Sequence, residues 1–369
     1  MSVLQRHPRL RWLVPLTALA LVAGVPAATQ RLAQADPGLP PRTAEQLLTD
    51  LATAKPRPLS GTVQQDMNLG LPTLPNIGGG STGDLSPLTL LTGQHTWKLW
   101  TNGSDSFRVA KVNGSDEINV IHNPQVTWVW NSQTREAVKT THTETQKRPS
   151  PSTTPTITPD AAAKKVLAAI EPTTAVTTDS ATTVAGRDAY QLVLTPKAEG
   201  SKVAKVLLAI DAETKLPLRV LVTATGATTP AVNIGYTSIT YADPDPANFQ
   251  FTPPADAKVL TAEQKAAQQK DESGKTPDPN TTPKTQDKPA SSKTVGEGWT
   301  VVHVTSVPAG TLDTTDPTVA QLLGQFRDVS GAWGKGKLLE TALFSVVLTD
   351  DGRLAVGPVQ PSLLYAALS

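Results

Sequence analysis

From residue 95 to residue 240 the chain repeats one device: a short stretch of alternating apolar and polar residues, ended by a turn signal. Side chains alternate across a strand, so each stretch presents one apolar face. Trp97 and Leu99 share a face, and Trp100 points the other way. Phe107 and Val109 share a face in "SFRVAKV"; Val126, Trp128 and Trp130 share one in "PQVTWVWNSQ", with Thr127 and Asn131 opposite. Later stretches group Tyr190, Leu192 and Leu194, then Val206, Leu208 and Ile210. Leu218, Val220 and Val222 follow, and Val232, Ile234 and Tyr236 complete the series. Asn102-Gly103 and Asn113-Gly114 are hairpin signals, because both residue types tolerate the positive φ such turns need. Asp211 and Pro217 bracket another turn. No strand–helix–strand rhythm appears, so the pattern predicts an antiparallel meander with one half-polar face.

Length and composition fit one or two globular domains with a true core, 369 residues at 38% hydrophobic. A net charge of +1 gives no concentrated cationic surface for nucleic acid. The chain has no cysteine, which excludes disulfides, thiolate catalysis, zinc–thiolate sites and a cysteine-linked lipid anchor.

Residues 1–35 read as a secretory signal, or alternatively as an N-terminal membrane anchor. Arg6, Arg9 and Arg11 precede the apolar run "WLVPLTALALVAGVPAA", and Ala33-Gln34-Ala35 or Val25-Pro26-Ala27 offers a cleavage site. Either way the cationic flank stays in the cytoplasm and the remainder is exported. The expected location is therefore extracytoplasmic, in the cell envelope.

"RTAEQLLTDLATAK", residues 42–55, predicts a helix with Thr43 and Gln46 in a capping box and Leu47, Leu48 and Leu51 on its apolar face. Residues 61–67 fit a strand. The following segment is too rich in Gly and Pro for a regular element and too apolar for a solvated loop. It is read either as a flap over an apolar site or as an irregular cover for the core edge. Its flap residues are Leu74, Ile77, Gly78, Gly79, Gly80, Leu85 and Leu88. Thr158 and Pro159 open a second predicted helix, with Val166, Leu167 and Ile170 on its apolar face. Residues 263–294 contain no hydrophobic side chain larger than alanine, so 263–298 is expected to be a flexible, disordered linker. Residues 299–369 form a small strand–helix–hairpin unit, with the hairpin around Asp351-Gly352. A unit of that size is expected to pack back onto the main sheet.

Three motifs in order give the region 42–262 a family resemblance. "HTWKLWTNGSDSFRVA…INVIHNPQVTWVWNS", "VLLAIDAETKLPLRVLV" and "PDPANFQFTPPADAKVL" resemble the strand signatures of the LolA-like superfamily of lipoprotein carriers. The C-terminal unit is loosely similar to the extra domain of the RseB/MucB relatives. Enrichment in Ala, Thr and Pro points to an actinobacterial source.

That resemblance implies a mainly β, α+β fold: an open, strongly curved antiparallel half barrel with helices on the concave side. It also implies a non-enzymatic protein, without cofactors, that binds a lipid or lipoprotein acyl chain in an apolar cavity. The cavity residues would be Trp97, Leu99, Phe107, Val109, Trp128, Trp130, Tyr190, Leu192, Leu208, Val220, Ile234 and Tyr236. Trp97, Trp128 and Trp130 would line one wall, or alternatively fill the core beneath the first helix. At about 0.8 kcal/mol per methylene, one C16 chain gains roughly 12 kcal/mol gross, against association costs on the order of 4–15 kcal/mol. Expected partners are acyl chains and the outer face of the cytoplasmic membrane, with the protein itself monomeric. An alternative is an RseB-like envelope-stress sensor acting on an anti-sigma factor; a second is a structural envelope protein without a ligand. Carriers of the superfamily use a sheet arginine to grip the acyl region. Arg108 lies in a suitable strand but faces away from Phe107 and Val109, so that role is not carried over.

Signals for catalysis are absent from the sequence. His7, His95, His122, His142 and His303 show no metal spacing, and no G-x-S-x-G occurs. "IGGGSTGD" lacks the lysine of a phosphate loop. Asp350 and Asp351 point to opposite faces as strand neighbours and read better as part of a turn.

Overall fold

The computed structural model describes residues 38–71, 87–142, 172–272, 292–307 and 317–369. The N-terminal segment 1–35, the second predicted helix and most of the proposed flap lie outside the described residues.

The described residues are mainly β and form two sheets. The larger has twelve strands. β1 (Leu59–Met67) lies at its middle. On one side the chain steps outward through β2 (Gly93–Thr101), β3 (Phe107–Asn113), β4 (Asp116–His122), β5 (Val126–Asn131) and β6 (Glu136–Thr141). It then resumes at the opposite edge as β7 (Thr174–Val184). From there β8 (Arg187–Pro196), β9 (Val203–Asp211), β10 (Pro217–Ala224) and β11 (Pro230–Thr240) step back inward. β11 closes the sheet by pairing antiparallel with β1. The expected meander is thus two meanders joined on β1. One expectation needs correcting: β12 (Lys258–Thr261) pairs parallel with β6, so the sheet is mixed rather than wholly antiparallel.

Helix α1 (Ala44–Thr53) begins as its sequence predicts. Thr43 Oγ1 accepts from the Gln46 amide, and Gln46 Oε1 accepts from the Thr43 amide. Its buried Leu47 packs with Leu192, Leu208 and Ile210 on β8 and β9. A short turn of helix, α2 (Pro87–Leu90), leads into β2.

The turn after β9 is fixed by a buried carboxylate. Asp211 is fully buried and accepts from Arg187 Nε at 2.7 Å and Nη2 at 3.1 Å. It also accepts from the backbone amides of Glu213 and Thr214. Burial pushes the Asp211 carboxyl up, but the Arg187 hydrogen bonds and the two amides outweigh it and hold it below the usual aspartate range. Lys215 takes a positive φ of 65° within this turn.

Helix α3 (Ala262–Glu272) takes in the start of the 263–298 stretch expected to be a linker. The second sheet begins at β13 (Ser292–Val295) and continues with β14 (Val302–Ser306). After helix α4 (Pro317–Gly324) come β15 (Arg327–Gly331), β16 (Gly334–Glu340), β17 (Ser345–Thr349) and β18 (Arg353–Gly357). These strands form a six-stranded antiparallel sheet in the order β13-β14-β18-β17-β16-β15. Helix α5 (Pro361–Leu368) covers it, with Leu364 and Leu368 buried and Tyr365 stacked on Trp333. β15, β16 and α5 were not anticipated, because "RDVSGAWGKGK" carries three glycines and no alternation.

The two sheets touch along a defined seam. The Ala342 amide donates to the Leu69 carbonyl at 2.7 Å, and Gln360 N donates to Gly200 O at 2.8 Å. Trp299 Nε1 donates to Thr174 Oγ1 at 2.8 Å, Lys202 pairs with Glu340, and Ser201 bridges to Val359.

Candidate functional site

Strand register sorts the expected cavity residues onto the two faces of the large sheet. Trp97 stands opposite Val63 on β1, and Val63 stands opposite Tyr236 on β11. Gln65 pairs with both His95 and Ile234, Ile234 with Val220, Val220 with Leu208, and Leu208 with Leu192. Leu99 pairs with Val109, and Thr101 with Phe107. Trp97, Leu99, Phe107, Val109, Tyr190, Leu192, Leu208, Val220, Ile234 and Tyr236 therefore share one face, called here the front.

Trp128 and Trp130 do not share it. Trp97 pairs with Lys111, Lys111 with Ile118, and Ile118 with Asn131. On β5 the front face is thus Thr127, Val129 and Asn131, and both tryptophans point to the back. There they pack with Ile121 and Ala137 under Phe251 and Ala257, which the chain supplies after β11. The expected single tryptophan wall is corrected accordingly. Trp128 and Trp130 close a back-face core, and Trp97 belongs to the front.

The front face differs along its width. Over β8 and β9 it is covered by α1. At the centre a cluster of Val63, Leu69, Trp97, Val232 and Ile234 is joined by Leu90, Leu91 and the turn residues Ala342, Leu343 and Phe344 of the second sheet. Beyond it runs a cross-strand row, Leu99–Val109–Val120–Val129–Val138, on five successive strands. Every member is half-buried. The back-face residues of the same strands, Ala110, Ile121, Trp128, Trp130 and Ala137, are buried. At a strand spacing of about 4.8 Å the row is roughly 19 Å long.

Phe107, exposed at 38%, stands at one rim of the row. It stacks on His122 with centroids 5.0 Å apart. Thr127 Oγ1 links His122 Nδ1 at 2.7 Å to His142 Nε2 at 2.8 Å. At the other rim His95 hydrogen-bonds the Thr89 carbonyl, and burial followed by the nearby Lys111 charge lowers its pKa. Burial likewise pushes the Tyr236 phenol up. On the back face Arg108 donates to Asn119 Oδ1 at 2.8 Å and lies over Trp100, in agreement with its exclusion from the front. Among the described residues no three His, Asp or Glu side chains converge as a metal site, and no helix is long and apolar enough to cross a membrane.

Of the expected flap, Leu74, Ile77, Gly78, Gly79, Gly80 and Leu85 lie outside the described residues. Leu88 falls in α2. Sequence reasoning overlooked Gln65, Val120, Val129 and Val138. The signal was present for Val129, an apolar residue between Thr127 and Asn131 on what was read as a polar face.

No family model matches the sequence, and no curated protein matches it. Solved structures do. The Pseudomonas aeruginosa MucA/MucB complex is matched at 15% identity and a TM-score of 0.42, over 88% of this chain and 96% of that one. A LolA superfamily protein from Nitrosomonas europaea is matched at 10% identity and a TM-score of 0.21, over 57% of this chain and 99% of that one. A putative outer membrane lipoprotein-sorting protein domain from Vibrio parahaemolyticus gives 9% identity and a TM-score of 0.22, over 56% and 95%. What the chain is similar to, at low sequence identity, is MucB and LolA superfamily structures.

Proposed function

We propose that this is an exported, non-enzymatic cell-envelope protein that binds a lipid or lipoprotein acyl chain along the front face of its large sheet. The observation that carries the reading is the half-buried aliphatic row from Leu99 to Val138. A continuous apolar strip held partly open to solvent is costly for a protein without a use for it. Its length of roughly 19 Å suits an extended long acyl chain. The row is apolar along its whole length, as hydrophobic binding of an alkyl chain requires.

The same reading has the sheet curved into a half barrel with the row on its concave side. Register shifts at Thr62/Val63 in β1 and in β10 support this, since bulges bend and coil strands. The N-terminal segment supports export, and Phe107 with its histidine pair would stand at the mouth of the groove.

The test is lipid extraction and native mass spectrometry of protein purified from its own membranes, with titration by a fluorescent fatty acid. Co-purified lipid and saturable binding, both lost in Val120→Asp, are the expected results. A wild-type protein that binds no lipid after delipidation overturns the reading.

A further inference from the structure

Two buried polar atoms in the front-face cluster have no hydrogen-bond partner among the described residues. Trp97 is 4% exposed and its Nε1 bonds nothing; Gln65 is 1% exposed and its Oε1 bonds nothing. The residues are diagonal neighbours on adjacent strands of the same face, since Val63 stands opposite Trp97 and Gln65 opposite His95. The orientation of the Gln65 amide is fixed, because its Nε2 donates to the Leu90 carbonyl. Rotating the amide would set two carbonyl oxygens against each other, so the free atom is an acceptor. Met67, Leu69, Leu90, Leu91 and Phe344 pack around the pair, with His95 opposite Gln65 and Lys111 opposite Trp97 on the neighbouring strands.

An unmet donor beside an unmet acceptor in such a cluster is unusual, because buried polar groups are otherwise paired. A buried tryptophan normally finds a partner for its N–H, and phenylalanine fills apolar space without that requirement. We propose that Trp97 and Gln65 form a recognition site for the secondary amide of an N-acylated molecule. The ligand carbonyl accepts from Trp97 Nε1, the ligand N–H donates to Gln65 Oε1, and the acyl chain runs from the cluster across Val109 along the aliphatic row. The inference rests on the lipid-binding reading above and specifies its ligand class. An ester or a carboxylate offers acceptors only. Either satisfies Trp97 and leaves Gln65 facing a second oxygen.

The test compares N-methyl lauramide with methyl laurate, which share a chain and differ at the linking atom, as competitors of a fluorescent fatty acid on the full protein. The amide is expected to displace the probe at about tenfold lower concentration. Gln65→Met, with folding verified by thermal unfolding, removes the acceptor that only the amide uses and is expected to shrink that preference to about twofold, whereas Trp97→Phe is expected to weaken amide and ester alike. In the wild type, the Trp97 indole N–H resonance is expected to shift downfield with both ligands, and further with the amide, whose carbonyl is the stronger acceptor. Equal potency of the two competitors, as a trapped water bridging the two groups would produce, overturns the amide site and leaves the lipid reading standing. A preference that survives intact in Gln65→Met also overturns it. If the fluorescent fatty acid itself does not bind, the lipid reading fails first and the amide site fails with it.

Discussion

The ring of Phe251 meets Trp128 edge-on, with centroids 5.6 Å apart, and tilts over Trp130 at 5.7 Å. Phe251 belongs to the segment between β11 and β12, so the chain returns across the back of the first meander to cover its tryptophans. That return also places β12 beside β6, where the parallel pairing forms. The Arg135–Asp256 ion pair and the bond from Asn123 Nδ2 to the Phe249 carbonyl fasten the same segment.

Phe251→Ala is expected to destabilise the protein by about 3 kcal/mol, since it opens a cavity over two indoles. Urea unfolding monitored by tryptophan fluorescence checks this. A loss below about 0.5 kcal/mol, typical of a surface site, contradicts the packing role.

Register predicts a contrast between the faces. Trp128→Ala is expected to lower stability yet leave fatty-acid affinity within about twofold of wild type, because its side chain is on the back. Val120→Asp and Val129→Asp place a charge on the front row and are expected to abolish binding. Titration of the three folded variants decides; weakened binding in Trp128→Ala alone contradicts the assignment of faces.

Asp211 makes the fold acid-sensitive in a defined direction. Its folded carboxyl is held below the ordinary aspartate value by Arg187 and two amides, although burial opposes this. Its contribution is therefore fully present above the unfolded pKa of about 4 and is lost as pH falls through the lower folded value. Asp211→Asn is expected to cost about 3 kcal/mol at neutral pH, because Arg187 then keeps only the exposed Glu213 carboxylate as a charged partner. The variant is also expected to show a flatter stability profile below about pH 4. Thermal unfolding across that pH range measures both.

The second sheet is fastened to the first through the turn at residues 341–344. Phe344→Asp sets a charge against the cluster of Leu69 and Trp97. The expected outcome in scanning calorimetry is two separated transitions where the wild type shows one. A single transition in the variant, shifted but not split, means that the other seam contacts suffice.

The alternation of apolar residues was enough to read, within each strand, which side chains share a face. It placed Trp97 with Leu99, set Trp100 and Arg108 opposite them, and located the capping box at Thr43. These are local consequences of a two-residue period and of one helical turn. Which faces of different strands coincide is set by hairpin loops, and a change of one residue in register exchanges the faces. The β2–β3 connection spans residues 102–106, where Asn102 Oδ1 accepts three successive amides, whereas β3 and β4 are joined through Gly114 and Ser115 alone. Where each strand ends and the turn begins is decided only when the strands pair, and that register puts Trp128 on the side away from Trp97. The join of the two meanders on β1 was equally beyond sequence reading. It pairs Ser60 with Thr240 across the whole domain, and no local pattern records so distant a partner. The unpaired atoms of Trp97 and Gln65 became visible only once Leu90 was seen to take the other end of the Gln65 amide.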